Sequence, residues 1–384
     1  MNADDGIRAD VGRINADDGI RADVGGMRRA AISLAAVAVL GGAGCAGGRG
    51  QVASPAAGAS AIGAGRAFLE RYTAPDGRVR RLDQGDDTVS EGQAYGMLVA
   101  AALDDNRRFD AVWGWTRRHL RRPDGLLASH WARGRVVDPQ AATDADLDAA
   151  RALLVAGCRR ARPDLRRAGV ALGRAILRRE TARRGGRLVL AAGPWATGQP
   201  VTVNPSYLAP ATLEALGEMS GDGAFERAAA DGRALVAAVA RPLPPDWATV
   251  DAGGLVRPSG PPGVDAPAQY SFDAPRALVR LAEDRRQAGR RLAARAWPVF
   301  RGRAPGRLVV ERGLDGAPAG SSQHPVALVA AAAAAAAAGD TAAMRRLLDA
   351  AQALDRRHPT YYGAAWVALG RLMLTTDRLR PCAR

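Results

Sequence analysis

Three short acidic segments set a carboxylate beside Gly, Tyr or Arg at the start of a helical pattern. There a rigid element can aim a proton-transferring group into a cleft. The first is Ser90-Glu91-Gly92-Gln93-Ala94-Tyr95-Gly96-Met97. Ser90 can cap a helix that begins at Glu91, and Tyr95, one turn on, can hydrogen-bond Glu91. Gly92 and Gly96 clear one face; as each glycine costs a helix about 1 kcal/mol relative to alanine, close approach of a substrate or of a packed neighbour must compensate. In the second segment, Ala142-Thr143-Asp144-Ala145-Asp146-Leu147-Asp148, Thr143 and Asp146 form a capping-box pair. Asp144 and Asp148 share a face, where like charges one turn apart repel. In the third, Tyr270-Ser271-Phe272-Asp273-Ala274-Pro275-Arg276, Pro275 suits a first helical turn. Arg276 lies one turn from Asp273 and favours its ionised form, as a base requires. Taken singly, each segment also reads as an ordinary charged helix start.

Other chemistries lack their residues. His119, His130, His324 and His358 show no metal-ligand spacing, Gly253-Gly254 matches no phosphate-binding loop, and there is no Gly-x-Ser-x-Gly elbow. Neither metal nor cofactor is expected. Cys45, Cys158 and Cys382 fit no zinc pattern and no disulfide framework; whether Cys158 pairs with Cys382 is open at this level.

The elements that must position these groups are helical. Apolar residues recur at helical spacing over about 61–72, 91–104, 107–121, 144–158, 163–180, 206–219, 223–240, 273–288, 290–298, 323–338, 340–355 and 361–374. Gly, Pro and Asp mark the joints. This predicts an all-α domain of paired antiparallel helices. Ala330–Ala338, nearly pure alanine, reads as a closely packed interior helix, too short to span a membrane. Hydrophobic residues make up 47% of the 384, enough for a large core. The net charge of +15 comes from arginine alone. Its spread along helix faces reads as a solvated basic surface rather than a nucleic-acid groove.

The N-terminal region divides by composition. Residues 1–26 are a polar tandem copy and read as a spurious extension. Met27 opens a signal-like stretch over 27–46: Arg28-Arg29, an apolar run from Ala30 to Leu40, then small residues. Cys45 after Gly42-Ala43-Gly44 resembles a lipoprotein processing site, with ordinary cleavage after Ala46 as the alternative. A flexible linker is expected over 47–60 and the folded domain over 61–384. The protein is expected to be exported, periplasmic or secreted, or lipid-anchored through Cys45.

In type and order, the three acidic segments resemble glycoside hydrolase family 8, whose members include bacterial endoglucanases, among them the periplasmic cellulase of cellulose-synthesis operons. The resemblance covers roughly residues 60–375. It implies an (α/α)6 barrel, six inner and six outer helices under an open substrate groove. It further implies an inverting mechanism with Glu91 as general acid and Asp273 as general base, their carboxyls about 6.5–9.5 Å apart. The acid is then expected to have a raised pKa and the base an ordinary or lowered one. By the same resemblance Asp144 binds the sugar at the cleavage point. Arg276 stands beside the base, and Tyr207, in Asn204-Pro205-Ser206-Tyr207, near the base and its water. Tyr95, Tyr207 and Arg276 join Asp144 in the expected substrate-binding set, and Trp131 and Trp195 are the candidates for sugar stacking. Phe272 stands where the family often has Tyr, Ser129-His130 replaces a region where another aromatic is common, and Tyr361-Tyr362-Gly363-Ala364-Ala365-Trp366 is only loosely like the closing helix. The expected activity is endo-cleavage of β-1,4-glucan, cellulose-like chains. Asp273 favours a cellulase or xylanase branch over a chitosanase one. The alternative from another class is a non-catalytic glycan-binding factor in exopolysaccharide production. The partners expected are a β-glucan and, by resemblance, cellulose-synthesis machinery.

Overall fold

The structure, a computed structural model, describes residues 55–382. The expectations for residues 1–26, for the signal at 27–46 and for Cys45 lie outside the described residues. The first helix begins inside the expected linker. In chain order the helices are α1 (Pro55–Tyr72), α2 (Ser90–Ala102), α3 (Asn106–His119), α4 (Thr143–Arg159), α5 (Pro163–Arg179), α6 (Pro210–Ser220) and α7 (Ala224–Val239). Then follow α8 (Ala274–Ala282), α9 (Gln287–Arg295), the single turn α10 (Trp297–Phe300), α11 (Pro325–Ala337), α12 (Thr341–Arg357) and α13 (Tyr361–Thr375).

Packing sorts them into two rings. Helices α2, α4, α6, α8, α11 and α13 each touch the next, and α13 closes back on α2. Outer helices α1, α3, α5, α7, α9 and α12 lie against this ring. The result is the (α/α)6 barrel. The sequence explains the sorting. Outer helices such as α5 and α12 bury one apolar stripe and leave their arginines in water. Inner helices are buried nearly all round and are built from small residues: α11 is buried from Pro325 to Ala335. A Cβ on Gly370 of α13 would fall 2.3 Å from Val329 Cγ1 of α11, so small residues are a condition of the ring closing. Pro163, Pro210, Pro275 and Pro325 each enter a helix in its first turn, where no N–H is needed.

The two ends of the barrel differ. Connections from inner to outer helices are three or four residues long. Those from outer to inner helices are long, except before α13, and carry three small antiparallel sheets. Strands β1 (Thr88–Val89), β2 (His130–Ala132) and β3 (Arg135–Asp138) form one; β4 (Thr181–Arg184) and β5 (Arg187–Leu190) the second; β6 (Val201–Val203), β7 (Trp247–Val250) and β8 (Val256–Ser259) the third. All three acidic segments sit where these loops run into an inner helix. A disulfide, Cys158–Cys382, ties the end of α4 to the C-terminal segment, settling the pairing that sequence left open.

Three local expectations change. Ser90 does not cap α2: it is already in the first turn, and its N–H donates to Ser129 O at 2.8 Å. Thr143 and Asp146 form no capping box. Thr143 Oγ donates to Ala191 O at 2.8 Å, and Asp146 Oδ1 accepts from Leu127 N at 3.0 Å, so both fasten incoming loops instead. The pattern over 273–288 is cut at Ala282, and that over 206–219 starts only at Pro210, after a 3₁₀ turn at Pro205–Tyr207.

Candidate active site

The site is organised by one buried guanidinium. Arg276, in the first turn of α8, has a side chain only 1% exposed. Its Nη1 donates to Glu91 Oε2 at 2.9 Å, to Asp144 Oδ2 at 2.8 Å and to the Tyr95 hydroxyl at 3.3 Å. Its Nη2 donates to Asp273 Oδ1. Segments far apart in sequence thus meet on two nitrogens, and the Tyr207 ring lies 5.4 Å beneath the same guanidinium. Asp144 is buried like Arg276, whereas the Glu91 and Asp273 side chains are 24% and 26% exposed. The two carboxylates with access to solvent are the pair expected to handle protons.

Their surroundings differ. Burial pushes Glu91 up to about 7; Arg276 opposes the shift, while the charges of Asp144 and Asp273 add to it. Asp144 is raised by burial against the pull of Arg276 and Arg280. Asp273 has a donor on each oxygen, Arg276 on Oδ1 and Asn204 Nδ2 at 3.0 Å on Oδ2. Among the described residues, the far oxygen of Glu91 accepts one hydrogen bond, from the Tyr361 hydroxyl at 3.4 Å.

Tyr95 serves Arg276, not Glu91: its hydroxyl accepts from the guanidinium. The glycine pair is a packing feature. A Cβ on Gly92 would come within 2.8 Å of the Tyr361 hydroxyl, and one on Gly96 within 2.7 Å of Val79 Cγ2. Gly92 nevertheless matters to the site, because it seats the tyrosine that reaches Glu91. Asp144 and Asp148 do not simply repel. Each meets an arginine of α8, Asp144–Arg276 and Asp148–Arg280, and Arg151–Glu283 adds a third rung, so α4 and α8 carry a buried charge ladder along the barrel.

Of the seven tryptophans, Trp113, Trp115, Trp247, Trp297 and Trp366 are buried in the core. Trp131, in β2, and Trp195, in a 3₁₀ turn, are the two left partly exposed. Trp131 has Arg78 over its ring at 5.2 Å, and Trp195 Nε1 donates to Ala141 O at 3.2 Å, so both rings are held in place. His130 of the divergent Ser129-His130 pair bonds Asp87 Oδ2 at 2.6 Å, and Arg81 grips the same carboxylate.

Several neighbours escaped the sequence reading. Asn204 holds Asp273 while its own Oδ1 takes the Ser206 N–H and hydroxyl at 3.0 and 2.7 Å. Tyr361 reaches Glu91, and the Tyr362 hydroxyl donates to Phe272 O at 2.9 Å. One signal was available: the chain has only six tyrosines, and Tyr95, Tyr207, Tyr361 and Tyr362 all come to this site.

A barrel of paired helices with carboxylates gathered at the long-loop end of its inner ring defines the class of this protein. Residues 52–375 match Glycosyl hydrolases family 8, and the chain belongs to that family. It is 35% identical over 219 residues to a probable endoglucanase of Novacetimonas hansenii, covering 54% of this chain and 62% of the relative. It is 30% identical over 218 residues to an endoglucanase of Cellulomonas uda, covering 54% and 59%. The aligned region thus spans about three-fifths of those relatives' length. The structure of an endo-beta-1,4-glucanase from Acetobacter xylinum superposes with a TM-score of 0.71 at 28% identity, covering 82% of this chain and 98% of that one.

Proposed function

We propose that the protein is an endo-acting β-1,4-glucanase that inverts configuration, with Glu91 as general acid and Asp273 as general base. The observation that carries this reading is the seating of both solvent-reaching carboxylates on the two Nη atoms of Arg276. One guanidinium keeps their nearest oxygens within about 8 Å, a span compatible with the roughly 6.5–9.5 Å that admits a water on the far face of the sugar. Glu91, raised to about 7, holds a proton to give to the glycosidic oxygen. Asp273, held by two donors, takes the proton of the attacking water. Asp144 and Tyr207 hold the sugar at the cleavage point, Tyr95 steadies Arg276, and Trp131 and Trp195 stack sugars along the groove. The relatives named endoglucanases support the glucan substrate.

The Cys158–Cys382 disulfide supports an exported, oxidising location, in keeping with the signal-like stretch before the barrel. Work alongside cellulose-synthesis machinery belongs to the same reading.

The test is polysaccharide profiling with Glu91→Gln as control. Wild type should release reducing ends from carboxymethylcellulose and, by NMR, give the α-anomer first from a β-linked oligosaccharide. E91Q should lose about 10²–10⁴-fold in kcat, the usual share of a general acid. Activity confined to xylan or chitosan would displace the glucanase assignment. Equal binding of cello-oligosaccharides by both forms, without hydrolysis by either, would replace it with a glycan-binding role.

A further inference from the structure

Asp273 occupies the N-cap position of α8, yet its side chain caps nothing. An Asp there ordinarily turns its carboxylate onto the backbone N–H groups of the first turn. Pro275 has no N–H to offer, and the Arg276 N–H already goes to Asp273 O at 3.0 Å. The remaining first-turn N–H, that of buried Ala274, is satisfied from elsewhere: it donates to Asp246 Oδ1 at 2.7 Å. Asp246 lies in the loop just before β7 and is buried. The same Oδ1 accepts the Ser271 N–H at 3.0 Å, and Oδ2 accepts the Ser271 hydroxyl. Bonds to Asp246 therefore close on both flanks of Asp273, while Tyr362 holds the Phe272 carbonyl between them.

We propose that Asp246 is the positioning residue for the general base: it caps α8 in place of Asp273, and so frees the Asp273 carboxylate to face the groove. This rests on the reading of Asp273 as the base. Asp246 touches no substrate and transfers no proton. Its burial among backbone donors serves to fix the backbone of residues 271–274.

The experiment compares D246N, D246A, D246E and D273N in the full chain, with cellopentaose as substrate and calorimetric titration of the same sugar as the binding probe. D246N keeps an acceptor oxygen for both N–H groups, so it should retain kcat within about fivefold. D246A, which leaves Asp273 free to swing back onto its helix, should lose about 100-fold in kcat with KM and sugar affinity changed less than about threefold, the signature of a lost transition-state geometry. D246E keeps the charge but displaces both acceptors by one methylene, and should lose at least tenfold in kcat; it serves where D246A does not fold. The proposal is overturned by wild-type kcat in D246A or D246E, by D246N as impaired as D246A, or by loss of sugar binding in step with kcat. D273N separates the two readings: turnover surviving in D273N overturns the base assignment itself, whereas an inactive D273N beside a fully active D246A overturns only the role of Asp246.

Discussion

Replacing Asp144 by Asn should move the pH at which activity fails, and the structure gives the direction and the size. A general acid must hold its proton, so kcat/KM falls as pH rises through its pKa in the free enzyme. With Glu91 at about 7, that limb should centre near pH 7. Glu91 Oε2 and Asp144 Oδ2 both accept from Arg276 Nη1, at 2.9 and 2.8 Å. The two oxygens are therefore at most about 6 Å apart, and at an effective dielectric of about 20 their charges repel by about 3 kcal/mol. Glu91 is a quarter exposed, and water on that side about halves the repulsion. Removing about 1.5 kcal/mol corresponds to about one pKa unit. Arg276, relieved of one carboxylate, favours ionised Glu91 more strongly and pushes the same way. D144N should thus bring the basic limb from near pH 7 to near pH 6. The assay is kcat/KM for a neutral cello-oligosaccharide from pH 4.5 to 9, so that substrate charge does not titrate. The plateau will also fall, because Asp144 is proposed to bind the sugar; the limb's position is what is read. A limb that stays near pH 7 or moves up would refute the electrostatic account of Glu91.

Three further outcomes are expected. W131A and W195A should each raise KM for long cello-oligosaccharides by about tenfold, one stacking contact of about 1–1.5 kcal/mol, with kcat nearly unchanged; an unchanged KM in both removes them from the groove. Reduction, or C382S, should lower the melting temperature on the order of 5–10 °C. The bridge joins residues 224 apart, worth about 5 kcal/mol at most in the chain-entropy limit, and an unchanged melt by calorimetry would show that it constrains nothing. D148N should destabilise by about 3–5 kcal/mol because it strands buried Arg280. The double change D148L/R280M should recover most of that loss in denaturant melts, and a double variant worse than the single would contradict the ladder as drawn.

How far the site was legible depends on how local each role is. Glu91, Asp144 and Asp273 each sit at a helix start visible in sequence, and their order along the chain supplied the rest. The helices themselves were readable because most exceed two turns. The strands were not: they run two to four residues, too short for any periodicity to register. The partners of the carboxylates were invisible for a different reason. Asn204 reaches Asp273 across 69 residues and Tyr361 reaches Glu91 across 270, and nothing in either local pattern announces the meeting. Local reasoning also misled where a residue had two possible partners. Ser90 and Thr143 looked like caps because capping is the nearest use of a hydroxyl at a helix start. Tertiary structure gave Thr143 a loop carbonyl instead and put Ser90 inside the first turn of its helix.

The division of labour proposed for the two solvent-reaching carboxylates rests on charge balance around Arg276. Three carboxylates share one guanidinium, so full ionisation would leave two negative charges uncompensated in a partly buried site. The site sits where loops enter α2, α4 and α8, and helix N-termini favour anions, though by only about 0.3–1 kcal/mol each and about 2 at best. Raising Glu91 from 4.5 to about 7 reflects about 3 kcal/mol in the other direction. Burial and like-charge repulsion therefore outweigh both the helix termini and Arg276. The proton settles on the carboxylate with the poorest support: Glu91 shares Nη1 with two other groups, and its far oxygen has only a 3.4 Å contact to Tyr361. Asp273 has Nη2 and Asn204 to itself, and Asp246 spares it from capping its own helix. The two carboxylates proposed as acid and base thus differ in how the donors around one arginine are shared between them. A variant that gave Glu91 a further, closer donor than the Tyr361 hydroxyl would be expected to lower its pKa and weaken the proposed acid before it disturbed the proposed base.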